Sequence, residues 1–336
     1  MFNLTQSSKL ISKNHFLFTN KKIIFSGNIQ DQIPFYIETI STIVFTNMYD
    51  TYKKLSFLKR KKIFYSIFLN KKIILQFDTL IYFWPKNKSE AKFQLEYLFS
   101  ILKKKTNVFI VGENCSGVKS SILMLKNWIM LKKIDTAKHA ILLYGSLNEN
   151  SYFQLKNYFN NHTLQNYKIK TLPSVFGHKK IDAGSKLLIS TFTDKMRGNI
   201  LDLGTGSGIL SILLDNISKK IHLTLTDINL IALLSCKINL YHHNINGNIL
   251  SSNLYNDINK RFDIIISNPP IHRDLKISFK TIINMIKNSV NYLTKKGELR
   301  FVTNTFLSFD RILNDTFNEY TILKKNKYFK VYQAIV

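Results

Sequence analysis

The stretch Leu201-Asp-Leu-Gly-Thr-Gly-Ser-Gly208 decides which fold the sequence predicts. Residues 199–204 form a short apolar run typical of a strand, and residues 209–217 carry apolar side chains at helical spacing. Gly204, Gly206 and Gly208 therefore lie in a turn from a strand into a helix, where glycine lets a ligand approach backbone N–H groups. Because spaced glycines also occur in dinucleotide enzymes, the turn alone indicates a nucleotide-type site without selecting the ligand.

Strands and helices alternate on both sides of this turn. Further strands are predicted at residues 222–227, 249–253, 262–268, 298–304 and 329–336, and further helices at 230–241 and 281–293. Such alternation predicts an α/β domain with a Rossmann-like, mostly parallel sheet. The short polar connection around residues 324–327 predicts that a further strand before it forms an antiparallel pair with the strand at 329–336, at one edge of the sheet. With the six strands given above, this makes a seven-stranded mixed sheet.

The N-terminal half repeats parts of this pattern. Residues 78–85 (DTLIYFWP) align with residues 263–270 (DIIISNPP), with Asp and Pro seven positions apart in both. We interpret the match as an ancient duplication whose first copy has lost the glycines and the Asn-Pro-Pro. The sequence then predicts two tandem domains of the same α/β fold, the first of them degenerate. Chance similarity between two buried strands is the alternative.

Two more segments agree with a duplication. Residues 22–27 take the place of the strand at 199–204, and residues 107–112 take that of the strand at 298–304. A chain of 336 residues is also long enough for two domains.

The division between the domains is predicted at a polar stretch with little periodicity. Residues 160–168 are interpreted as a linker, which leaves domains at residues 1–159 and 169–336.

The chain is strongly basic. Lys plus Arg number 48 against 21 Asp plus Glu, a net charge of +27. The excess is larger in residues 1–170 (26 − 9 = +17) than in residues 171–336 (22 − 12 = +10). A field of this size attracts polyanions, of which RNA and DNA backbones are the commonest. A codon bias toward Lys is the competing explanation, since 42 of the basic residues are Lys and only 6 are Arg.

Several other classes of protein are not expected. No run of 18 apolar residues or signal-peptide core occurs, and Cys115 and Cys236 are too few for a disulfide framework, so a cytoplasmic protein without a membrane span is predicted. His242 and His243 lack partners at metal-ligand spacing, and no metal is expected. The glycines before Lys119 imitate a phosphate-binding loop, but that Lys comes one residue too late.

Two polar side chains end the strands that follow the glycine turn. Asp227 ends the second strand of this half, where a carboxylate can accept hydrogen bonds from both hydroxyls of an adenosine ribose. Asn253 ends the third strand and is a candidate for contacting the adenine edge, although Asn at a strand end is often only a turn residue. Together with the glycines they predict a nucleoside site.

The motif Asn268-Pro-Pro-Ile-His272 follows the fourth strand at the same sheet edge. Two prolines stiffen the backbone, so the Asn268 side-chain oxygen and the Pro269 carbonyl can accept both hydrogens of a planar amine. Such an amine is a poor nucleophile because its lone pair is delocalised. Holding both hydrogens favours the pyramidal geometry that attacks an electrophilic methyl group. The motif therefore predicts methyl transfer to nitrogen, although a lone Asn-Pro-Pro can also be a simple turn.

These motifs are similar to those of class I S-adenosylmethionine-dependent methyltransferases that modify exocyclic or amide nitrogens. A narrower resemblance, to the ribosomal RNA small subunit methyltransferase C family, covers nearly the whole chain. It is carried by residues 171–177 (TLPSVFG), 182–188 (DAGSKLL), 261–272 (RFDIIISNPPIH) and 329–332 (FKVY), and in the N-terminal half by residues 78–88 and 111–119.

The resemblance implies S-adenosylmethionine as cofactor and the N2 amine of guanine 1207 in 16S rRNA, within the small ribosomal subunit, as target. It implies that the first domain is a degenerate copy of the methyltransferase fold. From its larger positive charge we expect this domain to bind RNA, and we expect it to support the second domain. The expected cofactor-binding residues are Asp202, Gly204, Gly206, Gly208, Asp227 and Asn253, and the expected catalytic residues are Asn268, Pro269 and Pro270. We expect a monomer.

The sequence departs from the family at one position of the site. The residue after the Asn-Pro-Pro of the family is usually aromatic and would stack on the target base, whereas this chain has Ile271. Ile271 can still contact a base, and His272 or Phe176 can share the stacking. Phe176 matches an aromatic position in the family segment that leads into the site, but its side chain could equally be part of the hydrophobic core.

Two other functions stay open at this point. An enzyme acting on a protein glutamine or on adenine N6 would use the same acceptor geometry. A non-catalytic RNA-binding assembly factor could keep the fold without the chemistry. The intact glycines, Asp227 and Asn268 argue against that second function.

Overall fold

Two seven-stranded sheets form the framework of the protein, one in each half of the chain. The computed structural model describes residues 4–58, 61–270 and 275–336. The chain divides into two units, Met1–Tyr158 and Phe159–Val336.

The first unit contains strands β1 to β7 in the order β3-β2-β1-β4-β5-β7-β6. The strands are β1 (Lys22–Gly27), β2 (Ser41–Thr46), β3 (Lys62–Tyr65), β4 (Thr79–Phe83), β5 (Asn107–Glu113), β6 (Lys132–Ala137) and β7 (Ala140–Ser146). The helices are α1 (Gln6–Lys13), α2 (Ile33–Tyr36), α3 (Tyr49–Ser56), α4 (Lys71–Ile74), α5 (Lys88–Ile101) and α6 (Ser120–Met124). The first five strands are parallel, and β7 pairs antiparallel with both β5 and β6.

The second unit opens with a hairpin of β8 (Asn160–Leu164) and β9 (Tyr167–Thr171). Residues 160–168, interpreted from the sequence as a linker, thus belong to a two-stranded ribbon. Their polar character suits its exposed strands, and Gln165 and Asn166 form the turn with φ of 48° and 69°.

Strands β10 to β16 form the sheet of the second unit in the order β12-β11-β10-β13-β14-β16-β15. The strands are β10 (Gly198–Leu203), β11 (Ile221–Asp227), β12 (Gly247–Ser251), β13 (Phe262–Ser267), β14 (Leu293–Asn304), β15 (Glu319–Lys325) and β16 (Phe329–Ile335). The helices are α7 (Ala183–Ile189), α8 (Ile209–Ile217), α9 (Leu230–His242), α10 (Leu275–Ser289) and α11 (Asp310–Thr316). The predicted mixed sheet and its antiparallel edge pair are confirmed.

The predicted helix at residues 281–293 is shifted in the structure. It begins earlier, at Leu275, and ends at Ser289. A short 3₁₀ turn follows, and strand β14 then begins at Leu293, five residues before the predicted start at Glu298. The early part of β14 contains a register irregularity and Lys296 at φ 63°, so its alternation is broken and its period was not visible in the sequence.

Both faces of the second sheet are buried. Ile200, Ile264 and Val302 pack into the core on one face, and Leu201 and Ile265 pack into the core on the other. Strands buried on both faces have continuous rather than alternating apolar runs, which is why the parallel sheet could be predicted.

The two units have the same strand order, as the duplication predicts. They also share a specific hydrogen bond. The backbone N–H of Lys22 donates to the Asp78 carboxylate at 3.3 Å, and the backbone N–H of Asn199 donates to the Asp263 carboxylate at 2.7 Å. In each case an Asp just before or at the start of the fourth strand (β4 or β13) fixes the start of the first strand (β1 or β10) of the same sheet. Since these positions are the ones aligned by sequence, the tandem repeat of one fold is confirmed.

The units differ at the carboxyl ends of β1 and β10. A Cβ placed on Gly27 would lie 2.2 Å from the carbonyl oxygen of Phe83, whereas a Cβ on Gly204 would meet no atom of the described residues within 4 Å. Phe83 holds the position that aligns with Asn268, and its carbonyl accepts a hydrogen bond from the N–H of Asn28 at 2.8 Å. The corner of the first unit is therefore filled by its own backbone, while the corner of the second is open.

Candidate active site

The glycine turn joins β10 to α8 at the carboxyl edge of the second sheet. Gly204, Gly206 and Gly208 have φ of 74°, 58° and 81°, values that side chains with a Cβ rarely adopt. A Cβ on Gly208 would also meet the Cys236 sulfur at 3.0 Å. The turn is fixed from behind by Asn239 of α9, whose Nδ2 donates to the Ser207 carbonyl at 2.9 Å. This stretch therefore requires glycine at each position where the sequence has it.

Asp202 lies at the end of β10 and is completely buried. Its Oδ2 accepts hydrogen bonds from the hydroxyls of Thr205 and Ser211, both at 2.7 Å. Its Oδ1 is buried and has no hydrogen-bond partner among the residues that the structure describes. The pKa of Asp202 is raised to about 6, mainly by burial. The hydrogen bonds from the Ser211 and Thr205 hydroxyls act in the opposite direction, and the negative charge of Asp227 contributes to the rise.

The raised pKa of Asp202 predicts a specific pH dependence of stability. A carboxyl that ionises near pH 6 when folded and near 3.8 when unfolded binds its proton more tightly in the folded state between those values. The contribution of Asp202 to the free energy of unfolding is therefore highest below about pH 4 and falls as the pH rises to 6. At 1.36 kcal/mol per unit, the loss is about 3 kcal/mol.

Urea unfolding at several pH values from 4 to 7 tests this prediction on the wild type and an Asp202→Asn variant. All other groups titrate in both proteins, so the difference between their unfolding free energies isolates Asp202. We expect the wild type to lose stability relative to the variant as the pH rises. Parallel pH profiles of the two proteins would show that Asp202 is not perturbed.

Asp227 ends β11 next to the glycine turn. Its Oδ2 accepts a hydrogen bond from the Gly206 N–H at 3.0 Å, and its Oδ1 accepts one from the Asn229 N–H at 2.9 Å. The carboxylate is thus held in place by backbone groups. A carboxylate oxygen can accept more than one hydrogen bond, so these backbone contacts do not by themselves prevent Asp227 from binding a ligand hydroxyl.

Asn253 follows β12 and is exposed. It lines a polar cleft of about 420 Å³ together with Asn284 and Asn288 of α10. Its predicted contact with an adenine edge therefore stays a prediction, because the structure shows Asn253 at the correct sheet edge but in a cleft shared with α10.

The corner fits the cofactor that the sequence implies. Gly204 leaves open space at the strand end, and Asp227 presents oriented carboxylate oxygens at the next strand. Asp202 adds a buried oxygen without a partner among the described residues. A nucleoside with a ribose diol and a charged amino acid tail has donors for these acceptors, as S-adenosylmethionine does.

Asn268 is brought to the same corner by the end of β13. The hydroxyl of Ser267 donates to the Leu203 carbonyl at 2.7 Å, which joins the ends of β13 and β10. Asn268 follows directly, beside the glycine turn. The structure therefore places the amide one residue from a fixed contact with the strand that carries the glycines.

The orientation of the Asn268 amide is fixed by α7. Its Nδ2 donates to Asp182 Oδ2 at 2.9 Å and to Ser185 Oγ at 2.8 Å. A carboxylate can only accept hydrogen bonds, so the side of Asn268 that faces Asp182 must be its NH₂ group. Asp182 Oδ2 also accepts from the Ser185 N–H at 2.9 Å as the N-cap of α7. The amide oxygen of Asn268 is thereby turned away from α7.

Pro269 is buried and Pro270 is exposed, and both follow Asn268 with trans peptide bonds. The predicted stacking residues Ile271 and His272 lie outside the described residues. Phe176 is 45% exposed, so the core position considered for it does not describe its environment. It follows Val175, whose Cγ1 lies 3.9 Å from where a Gly206 Cβ would be. The segment with Phe176 thus lines the glycine turn.

Ser185 and Asn239 are site-supporting residues that the sequence analysis did not single out. Ser185 lies inside the quoted segment of residues 182–188, so the resemblance could have indicated it. Asn239 gave no signal because it lies mid-helix, where a fully buried Asn is recognisable only from its partners, the Lys170 backbone and Ser207.

Within the described residues, no three His, Cys, Asp or Glu side chains are grouped as metal ligands. Among the helices of the same residues, none combines the length and apolar character needed to cross a membrane.

The seven-stranded sheet with its antiparallel edge, the glycine turn, the acidic end of β11 and the oriented Asn-Pro-Pro together define a class I S-adenosylmethionine-dependent methyltransferase. Each of the two units also matches a protein-family model. Residues 166–333 match the methyltransferase small domain, and residues 8–162 match the N-terminal domain of the same methyltransferases.

Similar proteins narrow this class. The chain is 46% identical over 334 residues to the ribosomal RNA small subunit methyltransferase C of Buchnera aphidicola subsp. Acyrthosiphon pisum, covering 98% of each protein. It is 38% identical over 335 residues to that of Erwinia tasmaniensis, covering 100% of this chain and 98% of the relative. The chain therefore belongs to the ribosomal RNA small subunit methyltransferase C family.

A solved structure has the same fold over both units. The T. thermophilus 16S rRNA N2 G1207 methyltransferase in complex with AdoMet and guanosine superimposes with a TM-score of 0.83 and 17% identity. The match covers 99% of this chain and 92% of that one. The tandem arrangement of two methyltransferase-like folds is thus shared by proteins of low sequence identity.

Proposed function

We propose that the protein transfers the methyl group of S-adenosylmethionine to the N2 amine of guanine 1207 in 16S rRNA. The observation that carries the proposal is the fixed amide of Asn268, held by Asp182 and Ser185 beside the open glycine corner. The family relatives are rRNA methyltransferases by name, and the T. thermophilus protein of the same fold acts on N2 of G1207.

The residues of the chain would act by position rather than by acid or base strength. The Asn268 amide oxygen and the Pro269 carbonyl accept the two N2 hydrogens, which draws the nitrogen lone pair out of conjugation with the ring. When bound, S-adenosylmethionine would supply an electrophilic methyl group, whose bond to sulfur breaks as the bond to N2 forms, so that S-adenosylhomocysteine leaves and N2 loses one proton to water. Asp202, the glycine turn and Asp227 hold it next to the amine. Such positioning of two reactants can supply roughly 7 to 11 kcal/mol of the barrier.

The target guanine must leave its stack to reach Asn268, which costs a few kcal/mol. Asn253, Phe176, Ile271 and His272 complete the proposed site, the first at the adenine and the other three at the target base. The proposal includes a cytoplasmic, monomeric enzyme that acts on the small ribosomal subunit.

The test is transfer of radiolabelled methyl from S-adenosylmethionine to small subunits and to free 16S rRNA, both from a strain without this protein. Product mapping should place the label on N2 of guanine 1207. Labelled protein or adenine instead of guanine would assign the site to another amine. Cofactor binding without any transfer would favour a non-catalytic assembly factor.

We also propose that the first unit binds RNA through the surface formed by α3 and the edge strand β3. Residues 53–72 contain eight basic residues and no acidic one. Lys53, Lys54 and Lys62 are exposed, and Phe57 between them is 86% exposed. An exposed aromatic side chain among lysines is the combination that binds single-stranded RNA by stacking and charge.

Replacing Lys53, Lys54 and Lys62 together by Ala should raise the Kd for 16S rRNA about tenfold at 0.1 M salt. The slope of log Kd against log salt should fall by about 2 units, because each phosphate contact that is lost reduces the number of counterions released on binding. The measurement is fluorescence anisotropy over a salt series. A matched control replaces Lys103, Lys104 and Lys105, which are exposed in the same unit. Equal losses in both triple variants would mean that only net charge matters.

A further inference from the structure

A second cleft opens beside Asn268, at the carboxyl end of the next strand. It has a volume of about 490 Å³ and is lined by residues 304–306 after β14 and 327–329 before β16. Ser267 pairs with Phe301, so Asn304 lies two residues beyond the point opposite Asn268. With 3.3 Å per residue and 4.8 Å between strands, these two positions are about 8 Å apart. The cleft is therefore next to the catalytic corner but separate from it.

The walls of this cleft are aromatic and exposed. Phe306 is 69% exposed and Tyr328 is 64% exposed, although the unit has large apolar cores that could bury such side chains. Lys327 Nζ lies 5.5 Å from the centre of the Tyr328 ring. Two exposed rings with a lysine beside them match the chemistry of a nucleotide, which has a flat base to stack and a phosphate to pair.

Asn304, which also lines the cleft, has a side-chain oxygen without a hydrogen-bond partner among the residues that the structure describes. This oxygen is itself buried, so a ligand would reach it only after the side chain rotates. The groups that select a nucleotide are therefore the two exposed rings and Lys327.

The loop that carries Tyr328 is fixed before any ligand binds. Asn326 Oδ1 accepts hydrogen bonds from the N–H groups of Tyr328 and Phe329 at 2.9 and 2.8 Å. The N–H of Thr305 donates to the Tyr328 carbonyl at 2.8 Å, which joins the two walls. A rigid cleft loses little entropy when a base enters it.

The cleft is connected to the catalytic amide by packing. The ring of Phe329, which lines the cleft, lies 3.3 Å from the position of a Cβ on Gly184 in α7. Gly184 lies between Asp182 and Ser185 in the chain, and these two residues orient Asn268. The same helix N-terminus therefore borders both the catalytic corner and the cleft.

We propose that this cleft binds the RNA nucleotide adjacent to the target guanine, with its base stacked on Phe306 and Tyr328 and its phosphate near Lys327. The inference rests on the proposed function. It adds a site for the flanking nucleotide, which would hold the RNA strand while the target base is turned toward Asn268.

The test is a cycle between the protein and the RNA. The base immediately before or after guanine 1207 is removed by an abasic substitution in ligated 16S rRNA, and KM is measured with wild type and with Phe306→Ala/Tyr328→Ala. Loss of one stacked base typically weakens binding of single-stranded RNA by about tenfold or more, so we expect a change in KM of about tenfold. We expect one of the two abasic RNAs to raise the KM of the wild type about tenfold and to leave that of the variant nearly unchanged.

Control proteins separate stacking from general damage. Tyr241→Ala removes a ring that is 85% exposed on α9, outside the cleft, and should behave as the wild type. Phe306→Tyr/Tyr328→Phe keeps both rings and should retain the wild-type KM. The Kd for S-adenosylmethionine should be the same in all of these proteins.

Three results would overturn the inference. Equal sensitivity of wild type and variant to the abasic RNAs would show that no flanking base stacks on these rings. Loss of free guanosine binding in the variant would assign the cleft to the target base itself. An unchanged KM of the variant on intact RNA would leave the rings without a role in substrate binding. Failure of the proposed function is distinguishable, because the wild type would then methylate none of these RNAs.

Discussion

Asn268→Ala is expected to lower kcat for methyl transfer by about 10² to 10³ and to leave the Kd for S-adenosylmethionine unchanged. The substitution removes the amide oxygen that accepts a hydrogen of the target amine, an interaction that strengthens as the nitrogen becomes pyramidal. It leaves Asp202, the glycine turn and Asp227 in place, because their contacts do not involve Asn268. Single-turnover methyl transfer and calorimetric titration of the cofactor measure the two quantities.

Asn314→Ala is the matched control for this experiment. Asn314 is an exposed asparagine on α11 of the same unit, and it is not one of the residues that line the cleft of Asn253. We expect wild-type kcat for this variant. If Asn268→Ala instead loses cofactor binding and methyl transfer in equal measure, its role is structural and the catalytic assignment fails.

The second large effect is expected for Asp182→Asn, with kcat lowered about tenfold or more. The introduced asparagine can still cap α7, since Asn is as good an N-cap as Asp. It can also donate a hydrogen bond, so the Asn268 amide is no longer forced to present its NH₂ group to α7. A flipped amide would offer donors to the target amine in place of an acceptor.

A double-mutant cycle shows whether Asp182 acts through Asn268. If Asp182 is a positioning residue, Asp182→Asn should have no further effect on kcat in the Asn268→Ala background. A purely structural role would lower kcat by the same factor in both backgrounds. The KM for rRNA and the Kd for the cofactor should stay near the wild-type values in Asp182→Asn.

The parts of the site that could be predicted from the sequence are those encoded locally. The turn at Gly204, Gly206 and Gly208 and the strand-end position of Asp227 follow from periodicity and from where glycine is required. Parallel strands gather their carboxyl ends at one edge, so Asn268 was expected at the same edge before any contact was known. The structure shows each of these on the predicted strand end.

The contact between Asp182 and Asn268 could not be predicted in the same way. The two residues are 86 positions apart, and their meeting depends on how α7 packs on the ends of β13 and β16. The polar hairpin of β8 and β9, which includes residues 160–168, was missed because an exposed ribbon and a linker have similar composition. The first of these contacts depends on packing between distant segments, which local periodicity does not describe. The second is a local pairing that composition alone does not distinguish from a linker.

The closed corner of the first unit has an evolutionary consequence. Replacing Phe83 by Asn would restore the side chain of the motif but not the space, because the Phe83 carbonyl itself lies against Gly27 and binds the N–H of Asn28. Recovery of a cofactor site there would require the Phe83 backbone to move away from Gly27 and Asn28, which a single side-chain substitution does not achieve. Reversal of the loss is therefore disfavoured, and we expect selection on the first copy to act mainly on its surface.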